Sequence, residues 1–150
     1  MPEAGTALAP MTPGCCFGFD FGRRRIGLAL GEFLTGTTRG LATLPARAGV
    51  PDWNRLDQLL REWQPGALVV GLPLLADGGE GDLATAARRF GRRLAARYRL
   101  PVHFVDERLS SHAAEARLRA RGRRYQAGHI DREAARIILE TWLQEAAARP

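Results

Sequence analysis

Cys15-Cys16-Phe17-Gly18-Phe19-Asp20-Phe21, then Gly22-Arg23-Arg24-Arg25, then Ile26-Gly27-Leu28-Ala29-Leu30, reads as two strands joined by a polar turn. Phe17, Phe19 and Phe21 share one face and Cys16, Gly18 and Asp20 the other, the period of two that a strand imposes. Ile26, Leu28 and Leu30 repeat the alternation, so the pair predicts an antiparallel hairpin. A third strand is expected over about 38–44.

Beyond this meander the pattern changes period. Asp52 stands at an N-cap position before Trp53, Leu56, Leu59, Leu60 and Trp63 at helical spacing, and Gln64-Pro65-Gly66 ends that helix. Ala67 to Leu72 is an unbroken apolar run, the mark of a strand buried on both faces. After the glycine-rich Asp77 to Gly81 loop, a helix is predicted over 82–98. Leu83, Ala87, Phe90 and Leu94 would point inward, and Arg88, Arg89, Arg92 and Arg93 outward to solvent. Val102 to Val105 makes another short strand, closed by Asp106-Glu107-Arg108. A helix over 112–120, capped by Ser110 or Ser111, precedes an Arg- and Gly-rich stretch at 121–128 without periodicity, read as mobile. The last helix is expected over 132–147, burying Ala135, Ile138 and Trp142. The order predicts an α/β fold: a mixed five-stranded sheet, an antiparallel β-meander followed by βαβ units, with helices on both faces.

Composition fits one domain. At 150 residues, 45% apolar and 25% charged, the chain can bury a core without disulfides or structural metal. We assign residues 15–148 to a single domain and residues 1–14, with Pro2, Pro10 and Pro13, to a flexible tail lacking the apolar block of a secretory signal. No apolar run is long enough for a membrane span. Cys15 and Cys16, adjacent and the only cysteines, suit a reducing, cytoplasmic setting rather than a disulfide. Basic residues number 22 against 16 acidic, a net charge of +6, and every one is Arg. Coding bias accounts for the missing Lys; the net excess favours a polyanionic partner such as nucleic acid.

The chemical signal is a set of acidic residues at element ends. Asp20 closes the first strand, Asp106 and Glu107 the last, and Asp131 opens the final helix. Metal-assisted phosphodiester hydrolysis needs carboxylates from separate elements converging on hard cations. Each position has a plainer reading as well. Asp20 before Gly22 fits an Asx-turn, Asp131 fits a helix cap with Ile130 and Ala135 as a hydrophobic staple, and Asp106-Glu107-Arg108 fits a surface ion-pair cluster. Small residues near Asp20 (Gly18, Gly27 and Ala29) suggest room for a substrate backbone. Arg117, Arg119, Arg121, Arg123 and Arg124 lead into Asp131 and would guide a phosphate backbone in. Of the three histidines, His103 falls in a strand and His112 near a helix start; His129 alone lies near a candidate carboxylate.

Phe19-Asp20-Phe21-Gly22 through Arg25-Ile26-Gly27-Leu28-Ala29, Val70-Gly71-Leu72-Pro73, Asp106-Glu107-Arg108-Leu109-Ser110-Ser111, and Ile130-Asp131 followed by Ala134-Ala135 and Ile137-Ile138-Leu139 together resemble the YqgF (RuvX) family, in its order, across residues 17–143. The resemblance implies an RNase H-like fold related to bacterial Holliday junction resolvases, in a family described as resolvases and as nucleases maturing the 5′ end of pre-16S rRNA. It makes Asp20, Glu107 and Asp131 the catalytic, metal-binding carboxylates for Mg²⁺ or Mn²⁺. Arg24, Arg25, Arg108, Arg121, Arg123 and Arg124 are the expected nucleic-acid contacts, and Asp106 orients the turn. Arg24 stands where the family often has Lys, and His129 where a basic residue commonly precedes the third Asp.

Three functions follow. The first is a metal-dependent endonuclease on structured nucleic acid, processing pre-16S rRNA in ribosome biogenesis. The second keeps that chemistry on branched DNA as a Holliday junction resolvase. The third, of another class, is a non-catalytic RNA-binding or ribosome-assembly factor. Expected partners are pre-rRNA or branched DNA and ribosomal particles, with no membrane and with the chain as a monomer or homodimer.

Overall fold

The computed structural model describes residues 14–107, 110–122 and 127–148. In chain order these form β1 (Cys15–Asp20), β2 (Arg25–Glu32), β3 (Thr38–Arg47), β4 (Val50–Pro51), α1 (Trp53–Trp63), β5 (Leu68–Leu72), α2 (Asp82–Tyr98), β6 (Val102–Asp106), α3 (Ser110–Ala120) and α4 (Ala127–Ala148). The sheet runs β4-β3-β2-β1-β5-β6. Its first half is the expected meander, with β1–β2, β2–β3 and β3–β4 antiparallel; β1–β5 and β5–β6 are parallel.

The strand count is six rather than five. Ala48 (φ 51°) and Gly49 (φ 81°) both adopt positive φ, the geometry of a tight hairpin turn, and fold Val50–Pro51 back on Ala46 and Arg47. Nothing in the local pattern marks so short a return. The Gly49 N–H is held by the Arg23 carbonyl (2.9 Å), a contact from the β1–β2 turn.

The alternation in β1 is realised on both faces. Phe17 and Phe19, together with Phe21 just past the strand, pack with Leu28, Leu68, Val70, Leu56, Phe90 and Leu94 beneath α1 and α2. Cys16 faces the other way, with Ala29, Val69 and Val105 under Ala135, Ile138 and Leu139 of α4. The apolar run of β5 is buried throughout, as a central strand between two helical layers must be.

Helix ends follow local chemistry where a cap exists. The Asp52 carboxylate accepts the Asn54 and Arg55 N–H groups (3.0 and 3.4 Å), the expected N-cap of α1. On α2, the core stripe is Ala84, Ala87, Phe90, Gly91 and Leu94. Leu83 sits one residue, roughly 100° of helix rotation, off that stripe and is 38% exposed, not inward as its apolar character suggested. Helix α4 begins at Ala127, five residues before the expected start. Thr43 of β3 explains why: its hydroxyl donates to the Gly128 carbonyl (2.9 Å) and accepts from Arg132 Nη1 (2.9 Å), holding the first turn from outside. Trp142 is half-buried, edge-to-face with Phe33 and tilted against the His103 ring. Of the expected tail, residues 1–13 lie outside the described residues, and the Gly14 carbonyl accepts from the Phe33 N–H (3.3 Å).

Helices α1 and α2 are clasped by Asp57, which accepts from Arg97 Nη2 (2.7 Å) and from the Tyr98 hydroxyl (2.7 Å). The Arg97 and Tyr98 hydrogen bonds hold the Asp57 carboxyl down at about 2. A carboxyl with a depressed folded value stabilises the fold above the ordinary carboxylate range and loses that contribution as pH falls through its folded value. Asp57→Asn should therefore lower the melting temperature at pH 7 by roughly 1–3 °C. Thermal melts across pH should show the gap closing between about pH 4 and pH 2.

Candidate active site

Three elements that are distant in sequence deliver a carboxylate each to one end of the sheet. Asp20 is the last residue of β1. Glu107 follows β6, its N–H donating to the Leu72 carbonyl at the end of β5 (3.1 Å). Asp131 comes down from α4 on the opposite layer, in the second turn rather than at the helix start, so it is not the helix cap. All three line one cleft of about 540 Å³, with Phe21, Gly22, Arg23, Arg24, Arg25 and Leu83 as its other walls.

Close approach of backbones makes this convergence possible. A Cβ on Gly27 of β2 would fall on the backbone carbonyl of Asp131, and one on Gly71 of β5 would lie 2.7 Å from Glu107 Cγ. On Gly18 it would collide with Leu139 and lie 3.0 Å from the Ala135 carbonyl oxygen. The small residues around Asp20 therefore make room for α4. They do not leave the sheet open for a substrate backbone, because Gly18, Gly27 and Ala29 lie under that helix.

The electrostatics are those of like charges forced together. Asp20 is pushed well above the ordinary carboxylate value, first by burial, then by Glu107 and Asp131, against a smaller lowering by Arg25. Burial, then Asp106, lifts Glu107 to about 7. Arg25 Nε donates to Asp131 Oδ2 at 2.7 Å. An all-oxygen set of crowded carboxylates is the donor chemistry of a hard divalent cation. Among the described residues, no three His, Cys, Asp or Glu side chains are yet gathered closely enough to close around an ion.

The expected basic residues divide. Arg24 and Arg25 line the cleft from the exposed β1–β2 turn, joined by Arg23, which the motif comparison passed over although it belongs to the same turn. Arg121 is 3.6 Å from Glu133, which also takes Arg117 (3.0 Å) and Arg136 (2.9 Å). Glu133 is only 4% exposed, and with Glu140 it knits α3 to α4. Helical spacing alone gives no sign that this glutamate is buried. Part of the basic 117–124 stretch is thus answered inside the protein. Arg108, Arg123 and Arg124 lie outside the described residues. His129, two residues before Asp131, is half-buried and is not among the residues lining the cleft. His103 packs against Trp142, ring centroids 5.0 Å apart and tilted by 32°.

Comparison with known proteins identifies a family and a fold. A family model described as "RuvX: Holliday junction resolvase" matches residues 14–145. A Pseudomonas aeruginosa relative is 49% identical over 130 residues, covering 85% of this chain and 90% of its own. One from Nitrosococcus oceani is 50% identical over 143 residues, covering 93% and 92%. Both carry the name "Putative pre-16S rRNA nuclease". Among solved structures, Thermus thermophilus RuvC in complex with a Holliday junction substrate superposes with a TM-score of 0.54 at 18% identity, covering 89% of this chain and 96% of that one. A yeast mitochondrial Holliday junction resolvase gives 0.53 at 10%, covering 91% and 80%. At such identities the likeness is one of fold, RNase H-like.

Two outcomes follow from the geometry. An acid whose folded value is raised costs stability once pH exceeds its unfolded value, so Asp20→Asn should raise the melting temperature at pH 8 by a few degrees, with the gain fading as pH falls toward about 4. Gly27→Ala, which pushes on the Asp131 backbone, should do the opposite, lowering the melting temperature by roughly 4 °C or more at any pH. Thermal melts of the two variants side by side check both signs.

Proposed function

The chain belongs to the RuvX family, described as Holliday junction resolvases, and from that premise we propose that it is a divalent-metal-dependent endonuclease processing the 5′ end of pre-16S rRNA. The observation that carries this reading is the convergence of Asp20, Glu107 and Asp131, from three separate elements, in a cleft rimmed by Arg23, Arg24 and Arg25. The choice of RNA is supported by the relatives' names, at 46–50% identity over most of the chain. The basic excess of the whole chain supports a nucleic-acid partner; work on pre-ribosomal particles, in the cytoplasm, belongs to the same proposal. Among the described residues no helix is long and apolar enough to cross a membrane.

In this reading each residue has a defined task. Asp20, Glu107 and Asp131 hold Mg²⁺ or Mn²⁺ through their oxygens. A bound cation supplies Lewis-acid polarisation of the phosphate and a water of lowered pKa. Arg23 and Arg24 present forked donors at the cleft mouth to hold the backbone phosphates on either side of the scissile bond. Arg25 answers the charge of Asp131 and so offsets part of the repulsion among the three carboxylates. Leu83 walls the cleft with apolar surface and narrows solvent access.

The alternative keeps the cleft and changes the strand: a Holliday junction resolvase on branched DNA, favoured by the family description and by the RuvC fold. One assay decides among the readings. Purified protein with Mg²⁺ or Mn²⁺ is offered a precursor 16S rRNA 5′ segment and a four-way DNA junction in parallel. Cleavage of the RNA at discrete positions is expected, abolished by chelation and slowed about 100-fold or more by Asp20→Asn, with binding retained. Cleavage of the junction alone moves the assignment to the resolvase, and binding without cleavage of either moves it to a non-catalytic RNA-binding factor.

A further inference from the structure

Helix α2 begins at the cleft, since Leu83, its second residue, is one of the cleft walls. Arg89, Arg92 and Arg93 lie six, nine and ten residues further along the same helix, roughly 9–15 Å down its axis. Their spacing of three and four sets them on one face, and all three are exposed.

These arginines differ from their neighbours in having no acidic partner. Arg88 is forked onto Glu80 (Nη2–Oε2 2.6 Å) and packs over the Phe104 ring. Arg97 is forked onto Asp57. Among the described residues no Asp or Glu pairs with Arg89, Arg92 or Arg93. Like charges at these spacings repel and weaken an isolated helix, so the stripe contributes nothing to folding that neutral residues would not improve. Its direction is also set: α2 runs away from the carboxylate cleft, and the stripe lies further along it than Leu83.

We propose that the outer face of α2 docks the phosphate backbone of a double-helical arm of the substrate, running from the cleft along Arg89, Arg92 and Arg93. A strand of a duplex places one phosphate about every 3.4 Å of axis, so a stripe about 6 Å long meets about two on one strand. Arg offers each phosphate a planar pair of donors. The inference rests on the nuclease reading, because the cleft is what orients the arm, and it goes further in assigning a duplex flank to the substrate.

The test uses the full chain with Arg89, Arg92 and Arg93 all changed to Gln, and a second variant with all three changed to Lys. Binding is measured by fluorescence anisotropy in chelator, against RNA and DNA hairpins whose arm is either about 12 base pairs or trimmed to about 4, at several salt concentrations. Wild type is expected to bind the long-armed hairpin about tenfold or more tightly than the short one at low salt. The Gln variant should bind both alike, with its salt slope on the long arm flatter by about two to three, and the Lys variant should recover most of the difference. Cleavage of the short-armed substrate should be the same in all three proteins. If the Gln variant keeps the wild-type preference for the long arm, or loses affinity equally for both arms, the docking surface is overturned. A wild type that shows the arm preference but cuts nothing would sink the nuclease reading while leaving the surface standing.

Discussion

The structure depends on how closely α4 lies on the sheet. Gly18 and Gly27 leave no side chain between the strands and the helix, so the Ala135 carbonyl, Leu139 and the backbone of Asp131 rest almost directly on β1 and β2. With an ordinary residue at Gly27 the helix would have to lift, and Asp131 would rise away from Asp20. The same seating buries Ala134, Ala135, Ile138 and Leu139 completely or nearly so. Packing of the second hydrophobic layer and assembly of the cleft are therefore one event. The site cannot be loosened without loosening the core that faces it.

That event brings like charges together, and the rest of the molecule distributes its arginines accordingly. Arg25 answers Asp131 at the cleft. Arg117, Arg121 and Arg136 gather around the buried Glu133 and with Glu140 fasten α3 onto α4. Arg88 and Arg97 each fork onto an acid at the margins of α2. Once these are counted, the arginines without an acidic partner among the described residues include Arg23 and Arg24 of the β1–β2 turn and Arg89, Arg92 and Arg93 on the outer face of α2. The net charge of the chain is thus a poor guide to its surface, because many of the arginines are spent on acids held in the fold.

Much of this organisation was legible in one dimension. The alternation of Phe17, Phe19 and Phe21 predicts a strand whose two faces both matter, and both are covered. The apolar run at Ala67 to Leu72 predicts a doubly buried strand, and Asp52 predicts the start of α1 through its own cap. What was not legible was set by partners far along the chain. The start of α4 depends on Thr43, 85 residues before Gly128. The two-residue β4 depends on a turn with two positive φ values, held by the Arg23 carbonyl. Leu83 looks like a core residue by type, and only the phase of the core stripe turns it into the cleft.

The sequence by itself determined the fold class and the strand hairpin whose first strand ends in Asp20, and through the family resemblance it singled out three acidic positions as candidates for phosphodiester chemistry. It did so because side-chain period and turn residues act over a few neighbours, and because the motifs around Asp20, Glu107 and Asp131 keep their order along the chain. Only the tertiary structure decided that these carboxylates share a cleft, that the glycines beside them serve the approach of α4, and which arginines remain free. Those are outcomes of distances between elements as far apart as β1 and α4. Such distances are fixed by how two buried layers close on one sheet, and no local pattern encodes them.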